Sequence, residues 1–175
     1  MTSVQCLAAG ALVDGRGGCA LTGAVPEAFD LSSLDLPTVF PPAGSYASAV
    51  THGGVLYTAG HIPLGADGTL VCGRLGDTLT VEQGVHAAGL AALSLLATVR
   101  SELGSLDRVE RFLRVFGVVN ATPEFDQHTA VIDGASNVFT RAFGSRGEHA
   151  RLAAGVSSLP AGIAVEIEAT IAVRG

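Results

Sequence analysis

A long helix is the strongest structural signal in the sequence. Thr80 and Gln83 form a capping-box pattern, in which each side chain bonds the other residue's backbone N–H. Gly104 stands where the helix would end, because glycine readily adopts the left-handed conformation of a C-cap. Between these ends apolar residues recur at helical spacing and spread well beyond one stripe. The pattern predicts a helix that other elements cover on more than one side.

Strand-like segments lie on both sides of this helix. Residues 46–50 and 55–59 are short runs joined by a turn at His52-Gly53-Gly54, and 109–119 is rich in β-formers. Residues 122–143 suggest a second helix with a break near Asp133-Gly134, and 151–157 and 163–173 suggest a closing hairpin. The order β-β-α-β-α-β-β predicts an α+β domain with helices on one face of a mixed sheet.

The chain length and the N-terminal composition suggest one domain with an extension. A chain of 175 residues fits a single core. Residues 1–36 are rich in small residues and have no sustained period, so we expect an N-terminal extension followed by a folded domain over 37–175. The N-terminus has no basic region typical of a signal peptide, and no apolar run is long enough to span a membrane. With three widely spaced cysteines, these features favour the cytoplasm and no membrane partner.

Charge and residue usage exclude several classes of function. The net charge is −6 and the ten basic residues are scattered, which disfavours binding to nucleic acid. All ten are arginine, so a lysine Schiff base and a P-loop lysine are excluded. The five histidines show no helical zinc spacing, and we expect neither a metal nor a cofactor. Only 15% of residues are charged against 48% hydrophobic, which predicts that the chain assembles with copies of itself.

Arg151 is the residue that most suggests a binding site. It begins a segment of otherwise small and apolar side chains, and its guanidinium can bind a carboxylate through two parallel hydrogen bonds. Glu166 and Glu168 are two residues apart and therefore share one face of the last strand, where a carboxylate could act as a general base. Two structural alternatives remain: an Arg–Glu pair across the hairpin, or a solvated strand face.

Several segments together resemble the Rid (YjgF/YER057c/UK114) family. The similar segments are Leu56-Tyr57-Thr58-Ala59-Gly60-His61-Ile62-Pro63, His149-Ala150-Arg151, Leu159-Pro160, Val165-Glu166-Ile167-Glu168-Ala169 and, with the family's tyrosine, Pro42-Ala43-Gly44-Ser45-Tyr46. They occur in the family's order over about residues 36–175, and fifteen residues separate Arg151 from Glu166 as in the family.

The resemblance implies a chorismate-mutase-like fold, a homotrimer and a site in each cleft between subunits. Active members hydrolyse reactive 2-imino and 2-enamino acids to 2-oxo acids and ammonia. By this similarity Arg151 would bind the substrate carboxylate and Glu166 would position the attacking water. Tyr46 and Asn137 would line the cleft, and the backbone near Ala59 and Gly60 would contact the ligand.

The sequence also departs from the family's pattern. His61 stands where glutamine is common and is a candidate for acid–base function and for substrate contact, and Leu152 stands where a small hydroxyl residue is usual. The loops around Cys72 and over 120–137 are longer than in compact deaminases. A divergent branch is therefore implied, and three functions remain open: a deaminase, a non-catalytic small-carboxylate binder or regulator, and a pathway-specific enzyme of secondary metabolism acting on an imine. A ribonuclease fits the acidic charge less well.

Overall fold

The computed structural model describes residue 31 and residues 34–65 and 67–175. Most of the expected N-terminal extension lies outside these residues, and its boundary at 36 stays a prediction. Leu31 is buried in the core, and Leu34 and Leu36 pack against that core. The last residues of the expected extension therefore contribute to the folded domain.

Helix α1 (Val81–Leu103) forms as its capping signals predict. The Thr80 backbone N–H donates to Gln83 Oε1 at 2.9 Å, and Gln83 N–H donates to Thr80 Oγ1 at 3.3 Å. Gly104 has a φ of 78° and donates its N–H to the Arg100 carbonyl. By length and composition α1 could cross a membrane, but most of its apolar window is buried inside the fold. It is therefore a core helix of this domain.

Five strands form one mixed sheet in the order β1-β2-β5-β3-β4. The strands are β1 (Ala49–His52), β2 (Val55–Thr58), β3 (Val109–Asn120), β4 (Ala150–Val156) and β5 (Val165–Val173). Strands β3 and β4 are parallel, whereas the other neighbours are antiparallel. The expected C-terminal hairpin is wrong, because β5 inserts between β2 and β3 while β4 forms the edge beyond β3. A direct Arg–Glu pair across such a hairpin is thereby excluded.

The β1–β2 hairpin is tighter than the sequence suggested. Gly53 and Gly54 have φ values of 59° and 77°, so they alone form the two-residue turn and His52 belongs to β1. Positive φ at both positions matches the right-handed twist of the flanking strands, and glycine adopts it without steric cost. Residues 46 and 48 are bends and residue 47 is irregular, so β1 begins only at Ala49.

Helix α2 (His128–Phe143) is continuous, so the expected break at Asp133-Gly134 is wrong. A Cβ at position 134 would overlap the backbone carbonyl of Val85 on α1. Glycine thus stands there because the two helices approach closely, and the helix hydrogen bonds continue through it. The segment after Thr122 forms a turn, with Phe125 N–H donating to the Thr122 carbonyl, and not the first turn of α2.

Both helices pack on one face of the sheet, as predicted. Phe112 of β3 stacks on Phe139 of α2 with ring centroids 4.5 Å apart, and Leu56 and Ile171 are fully buried beneath the helices. The alternate residues of the strands face away from the helices. On that open face Val50, Tyr57 and Leu152 are 54%, 51% and 45% exposed. The predicted α+β, chorismate-mutase-like arrangement is confirmed.

Candidate functional site

Arg151 projects from the edge strand β4 toward helix α2. It lies level with Val115 of β3, which in turn lies level with Ala169 of β5, and both of these are buried beneath the helices. Residues directly across a sheet share a face. Arg151 is therefore on the helix side, at the rim where β4 ends the sheet, and its side chain is 18% exposed.

Helix α2 holds the Arg151 guanidinium mainly through one nitrogen. Nη1 donates to Asp133 Oδ1 at 2.7 Å and to Ser136 Oγ at 2.9 Å, while Nη2 donates to the Thr129 carbonyl at 3.3 Å. Within the described part of the chain, Nε–H and one Nη2 hydrogen have no partner. These two free donors form an open edge of the guanidinium, and they can donate to a carboxylate.

Sequence reasoning missed Asp133 and Ser136. They are three residues apart on α2, and Asn137 follows Asp133 by four, so the three form one polar stripe on the helix. That stripe was a usable signal, but its position against Arg151 depends on the parallel pairing of β3 with β4. Asn137 is exposed on this stripe, beside the pair that holds Arg151.

Glu166 lies on the opposite face of the sheet, as its spacing predicts. Val165, Ile167 and Ala169 are buried beneath the helices, whereas Glu166 is half-buried and Glu168 is exposed on the open face. Burial raises the pKa of the Glu166 carboxyl, and the neighbouring Glu168 carboxylate raises that pKa further. A carboxylate with a raised pKa is a stronger base in its ionised form, which suits proton abstraction from water.

Gly60 brings the backbone after β2 against the Glu166 carboxyl group. A Cβ at position 60 would collide with Oε1, Cδ and Cγ of Glu166. Gly60 is exposed, and neither its N–H nor its carbonyl is bonded to any described residue. Ala59, Gly60 and Glu166 therefore form one surface, in which Gly60 offers free backbone groups beside the Glu166 carboxylate. The Ala59 backbone is not free, because its N–H donates to the Ser48 carbonyl and its carbonyl is bonded to His61.

His61 stands behind this surface rather than in it. The residue is 8% exposed. Its Nδ1 lies 2.8 Å from the Ala59 carbonyl and its Nε2 lies 2.9 Å from Thr98 Oγ1 of α1. Burial lowers the pKa of the His61 imidazole, although the Ala59 hydrogen bond opposes that shift. With both nitrogens bonded inside the protein, the ring fixes the Ala59 turn and has no nitrogen free for acid–base work.

Tyr46 lies before β1 in a bend that its own contacts shape. The Ala43 backbone N–H donates to the Tyr46 hydroxyl at 3.2 Å, and the ring packs against Gly44. The side chain is 53% exposed and touches neither Arg151 nor Glu166. Its place in a shared cleft therefore stays a prediction.

Arg151 and Glu166 cannot bind one small molecule within a single chain. Strand β3 separates their strands, and Glu166 is three residues along β5 from the position level with Arg151. From strand and residue spacings their Cα atoms are about 14 Å apart, and their side chains leave opposite faces. The residues that the sequence grouped into one site thus divide between two half-sites, and Tyr46 and His61 lie in neither. The Arg151 half-site joins Arg151 and Asn137 with Asp133 and Ser136, and the Glu166 half-site consists of Glu166, Ala59 and Gly60.

Other features of the described residues lie outside these half-sites. A cavity of about 250 Å³ lies at the opposite end of β4 from Arg151, where Arg74, His128 and Ser157 contribute to its walls. No group of three or more His, Cys, Asp or Glu side chains in the described ranges is arranged to hold a metal ion. Cys72 is exposed as a free thiol.

Comparison with known proteins identifies relatives over most of the chain. A family model described as YjgF/chorismate mutase-like, putative endoribonuclease, matches residues 28–165. Protein TCP17 of Trypanosoma cruzi is 37% identical over 151 residues, which cover 86% of this chain and 94% of that protein.

Two solved structures are also similar. The protein Atu1372 of Agrobacterium tumefaciens, of unknown function, superposes with a TM-score of 0.73 at 36% identity, covering 77% of this chain and 86% of that one. A putative endoribonuclease of Shewanella oneidensis superposes with a TM-score of 0.77 at 29% identity, covering 81% and 94%.

Proposed function

Because this chain belongs to the YjgF/chorismate mutase-like, putative endoribonuclease family, we propose that it hydrolyses reactive 2-imino and 2-enamino acids to 2-oxo acids and ammonia. The single observation that carries the proposal is the pair of half-sites: an arginine with an open donor edge, and a half-buried carboxylate beside free backbone groups. The reaction needs no metal or cofactor.

Arg151 binds the substrate carboxylate through its open edge. Asp133, Ser136 and Thr129 fix the guanidinium from the other side, so little side-chain entropy is lost when a ligand binds. Asn137, exposed on the same stripe of α2, bonds the ligand's carbonyl or imine. This arrangement selects a small carboxylate with a polar group beside it.

Glu166 acts on water at the imine carbon. An enamine first becomes its imine tautomer; the Glu166 carboxylate then takes a proton from water as the oxygen bonds to C2. The C=N electrons move to nitrogen, which gains a proton and gives a tetrahedral carbinolamine. The carbinolamine nitrogen then takes a second proton, the C–N bond breaks and ammonia leaves with the bonding electron pair. The C2 hydroxyl gives its proton to the Glu166 carboxylate, so that imine plus water gives 2-oxo acid plus ammonia. The raised pKa of Glu166 favours this proton transfer near neutral pH.

A second copy of the chain completes the site. Since the two half-sites lie on opposite faces of one sheet, Arg151 of one protomer meets a neighbour's Glu166 half-site. Val50, Tyr57 and Leu152 give the open face an apolar surface suited to contact between copies. A closed ring of three protomers provides three such sites, each with one arginine and one glutamate. We place this homotrimer in the cytoplasm.

Activity is tested with an imine made in the cuvette by an amino-acid oxidase. We expect wild type to release ammonia and 2-oxo acid above the spontaneous rate, and Arg151→Ala and Glu166→Gln to return to it. Arg100→Ala, in the last turn of α1, is the matched control and should keep wild-type activity. Wild type at the spontaneous rate contradicts the deaminase.

The same proteins separate the alternatives. Binding of 2-oxobutanoate that depends on Arg151, without any turnover, identifies a non-catalytic binder. If the protein cleaves single-stranded RNA and Arg151→Ala cleaves it equally well, both the deaminase and the non-catalytic binder are contradicted. The endoribonuclease activity in the family's description is then favoured.

The assembly is tested by light scattering on eluted protein. We expect three times the 17.6 kDa chain mass for wild type. Tyr57→Asp places a charge on the open face and should lower that mass, whereas Thr51→Asp, exposed on the adjacent strand but on the opposite face, should not. A monomeric wild type contradicts the shared cleft.

A further inference from the structure

A continuous chain of hydrogen bonds joins His149 to Arg151 through helix α2. His149 Nδ1 lies 2.6 Å from the Gly147 carbonyl oxygen, and His149 Nε2 lies 3.0 Å from Ser136 Oγ. Ser136 Oγ in turn accepts from Arg151 Nη1 at 2.9 Å. His149 itself lies just before β4 and two residues ahead of Arg151, so it reaches the guanidinium only by way of Ser136.

The donors and acceptors in this chain fix the positions of the protons. The Gly147 carbonyl can only accept, so Nδ1 carries a proton. In neutral imidazole Nε2 is then an acceptor, and the Ser136 hydroxyl donates to it. The Ser136 lone pairs are left facing the guanidinium, which can only donate. One orientation of the hydroxyl therefore satisfies all three groups at once.

Packing holds the His149 ring in this role. Phe139 of α2 meets it edge-on with ring centroids 5.9 Å apart, and Phe112 of β3 lies at 6.4 Å. His149 also lines a cavity of about 390 Å³, whose walls include Arg111 and Glu148. The ring thus packs against two aromatic side chains yet remains within reach of solvent protons.

We propose that His149 is a positioning residue for Arg151: its neutral imidazole orients Ser136 so that the guanidinium is held for a carboxylate, and protonation of the imidazole weakens that hold. The inference rests on the proposed function in taking Arg151 as the carboxylate-binding group. His149 touches no substrate; it acts on the guanidinium through Ser136 and, when protonated, also through its own charge.

Protonation reverses the arrangement for two reasons. Nε2–H would donate to Ser136, whose own proton would then lose its acceptor. The imidazolium would also lie near the positive guanidinium of Arg151. Other charges around the ring come from Asp133 on α2, Arg111 on β3 and Glu148 next in the chain. The Asp133 carboxylate already pairs with Arg151. The positive charges of Arg111 and Arg151 both disfavour a positive charge on the His149 ring.

The ring is neutral at neutral pH. Burial lowers the pKa of His149, the Gly147 hydrogen bond opposes this shift, and the charge of Arg151 lowers the pKa further. The hold on Arg151 is therefore complete above the ordinary histidine range and is lost as pH falls through the lowered pKa. A ligand carboxylate stays ionised across this interval, so the change in affinity reports on the protein.

The test measures 2-oxobutanoate affinity from about pH 8 to about pH 5, across the histidine range. For wild type we expect roughly tenfold weaker binding at the acidic end, the size of one lost hydrogen bond to a charged group. His149→Gln places an amide oxygen near Ser136 that does not titrate, so its affinity should match wild type at high pH and change less at low pH. His149→Ala and Ser136→Ala should bind weakly throughout. His86→Gln, exposed on α1, is the matched control.

The His149→Gln comparison also removes the contribution of Glu166, which titrates in both proteins. If wild type and His149→Gln share one pH profile, the inference is wrong, and equal affinity of Ser136→Ala and wild type at high pH overturns it too.

A second readout needs no ligand. The NMR signal of Arg151 Nε–H should shift with the titration of His149 in wild type and shift much less in Ser136→Ala, where only the charge of the imidazolium still acts. Should wild type fail to bind 2-oxobutanoate at every pH, the proposed function fails, while a shifting Arg151 signal still supports the coupling. A constant signal in wild type refutes the coupling itself.

Discussion

Replacing Gly60 by alanine should reduce catalysis while leaving the fold intact. The new Cβ would lie 2.6 Å from Cδ and 2.8 Å from Cγ of Glu166. An ordinary carbon–carbon contact is about 3.5–4.0 Å, so the carboxyl group must move by roughly 1 Å. A displacement of that size costs about 100-fold in rate, or about 2.7 kcal/mol of transition-state stabilisation.

Stability should respond in the opposite direction. Gly60 is exposed and its φ lies outside the left-handed region, so alanine fits the backbone. Reduced freedom of the unfolded chain then contributes about 0.4–1 kcal/mol in favour of folding. Glu166 can rotate toward solvent, because the group that must move is the end of a flexible side chain.

The assay combines imine hydrolysis with urea unfolding of the same protein. We expect Gly60→Ala to unfold at the wild-type urea concentration or above it, to bind 2-oxobutanoate at Arg151, and to approach the rate of Glu166→Gln. Wild-type turnover in Gly60→Ala would refute the reasoning, because it would show that the position of the Glu166 carboxylate does not limit the rate.

Three further predictions concern charge and packing. Glu168→Gln removes one of the two causes that raise the pKa of Glu166, so the rise of activity with pH should begin at lower pH than in wild type; an unchanged pH–rate profile would mean that another group limits the rate. Asp133→Asn keeps an acceptor for Arg151 but removes a negative charge beside the ligand, so 2-oxobutanoate should bind about two- to fivefold more tightly at low salt by calorimetry. Since Asp133 is 55% exposed, the same change should cost at most about 1 kcal/mol of stability, and weaker binding would show instead that Asp133 positions the guanidinium. Gly134→Ala should lower the free energy of unfolding by about 1–3 kcal/mol, because its Cβ meets the Val85 backbone, whereas Gly89→Ala, with its nearest neighbours at 3.8 Å, should gain up to about 1 kcal/mol of helix propensity. Equal urea midpoints for the two alanine variants would contradict the close approach of α1 and α2.

The sequence was informative where the signals are local. Thr80, Gln83 and Gly104 define α1 to the residue, since each acts within one turn of its own helix end. The alternation of β5 likewise placed Glu166 and Glu168 on the open face. Both predictions depend on backbone geometry that neighbouring residues determine.

Prediction from the sequence failed where the structure depends on contacts between residues far apart in the chain. Gly134 resembles a helix break, but its role is to admit the Val85 carbonyl of another helix. Because β4 and β5 are neighbours in the chain, the sequence suggested that they pair. In the structure β5 instead pairs with β2 along one edge and with β3 along the other. Asp133 and Ser136 were missed as partners of Arg151 for the same reason: the parallel register of β3 and β4 brings α2 over Arg151.

The separation of Arg151 and Glu166 by the sheet has a genetic consequence. If each cleft takes its arginine from one protomer and its glutamate from another, two inactive alleles can restore each other. Subunits carrying Arg151→Ala and subunits carrying Glu166→Gln, refolded together in equal amounts, should rebuild about a quarter of the wild-type sites, because each site draws its two halves independently. Either variant refolded alone should rebuild none. Two different loss-of-function copies of the gene would then complement each other in a single cell.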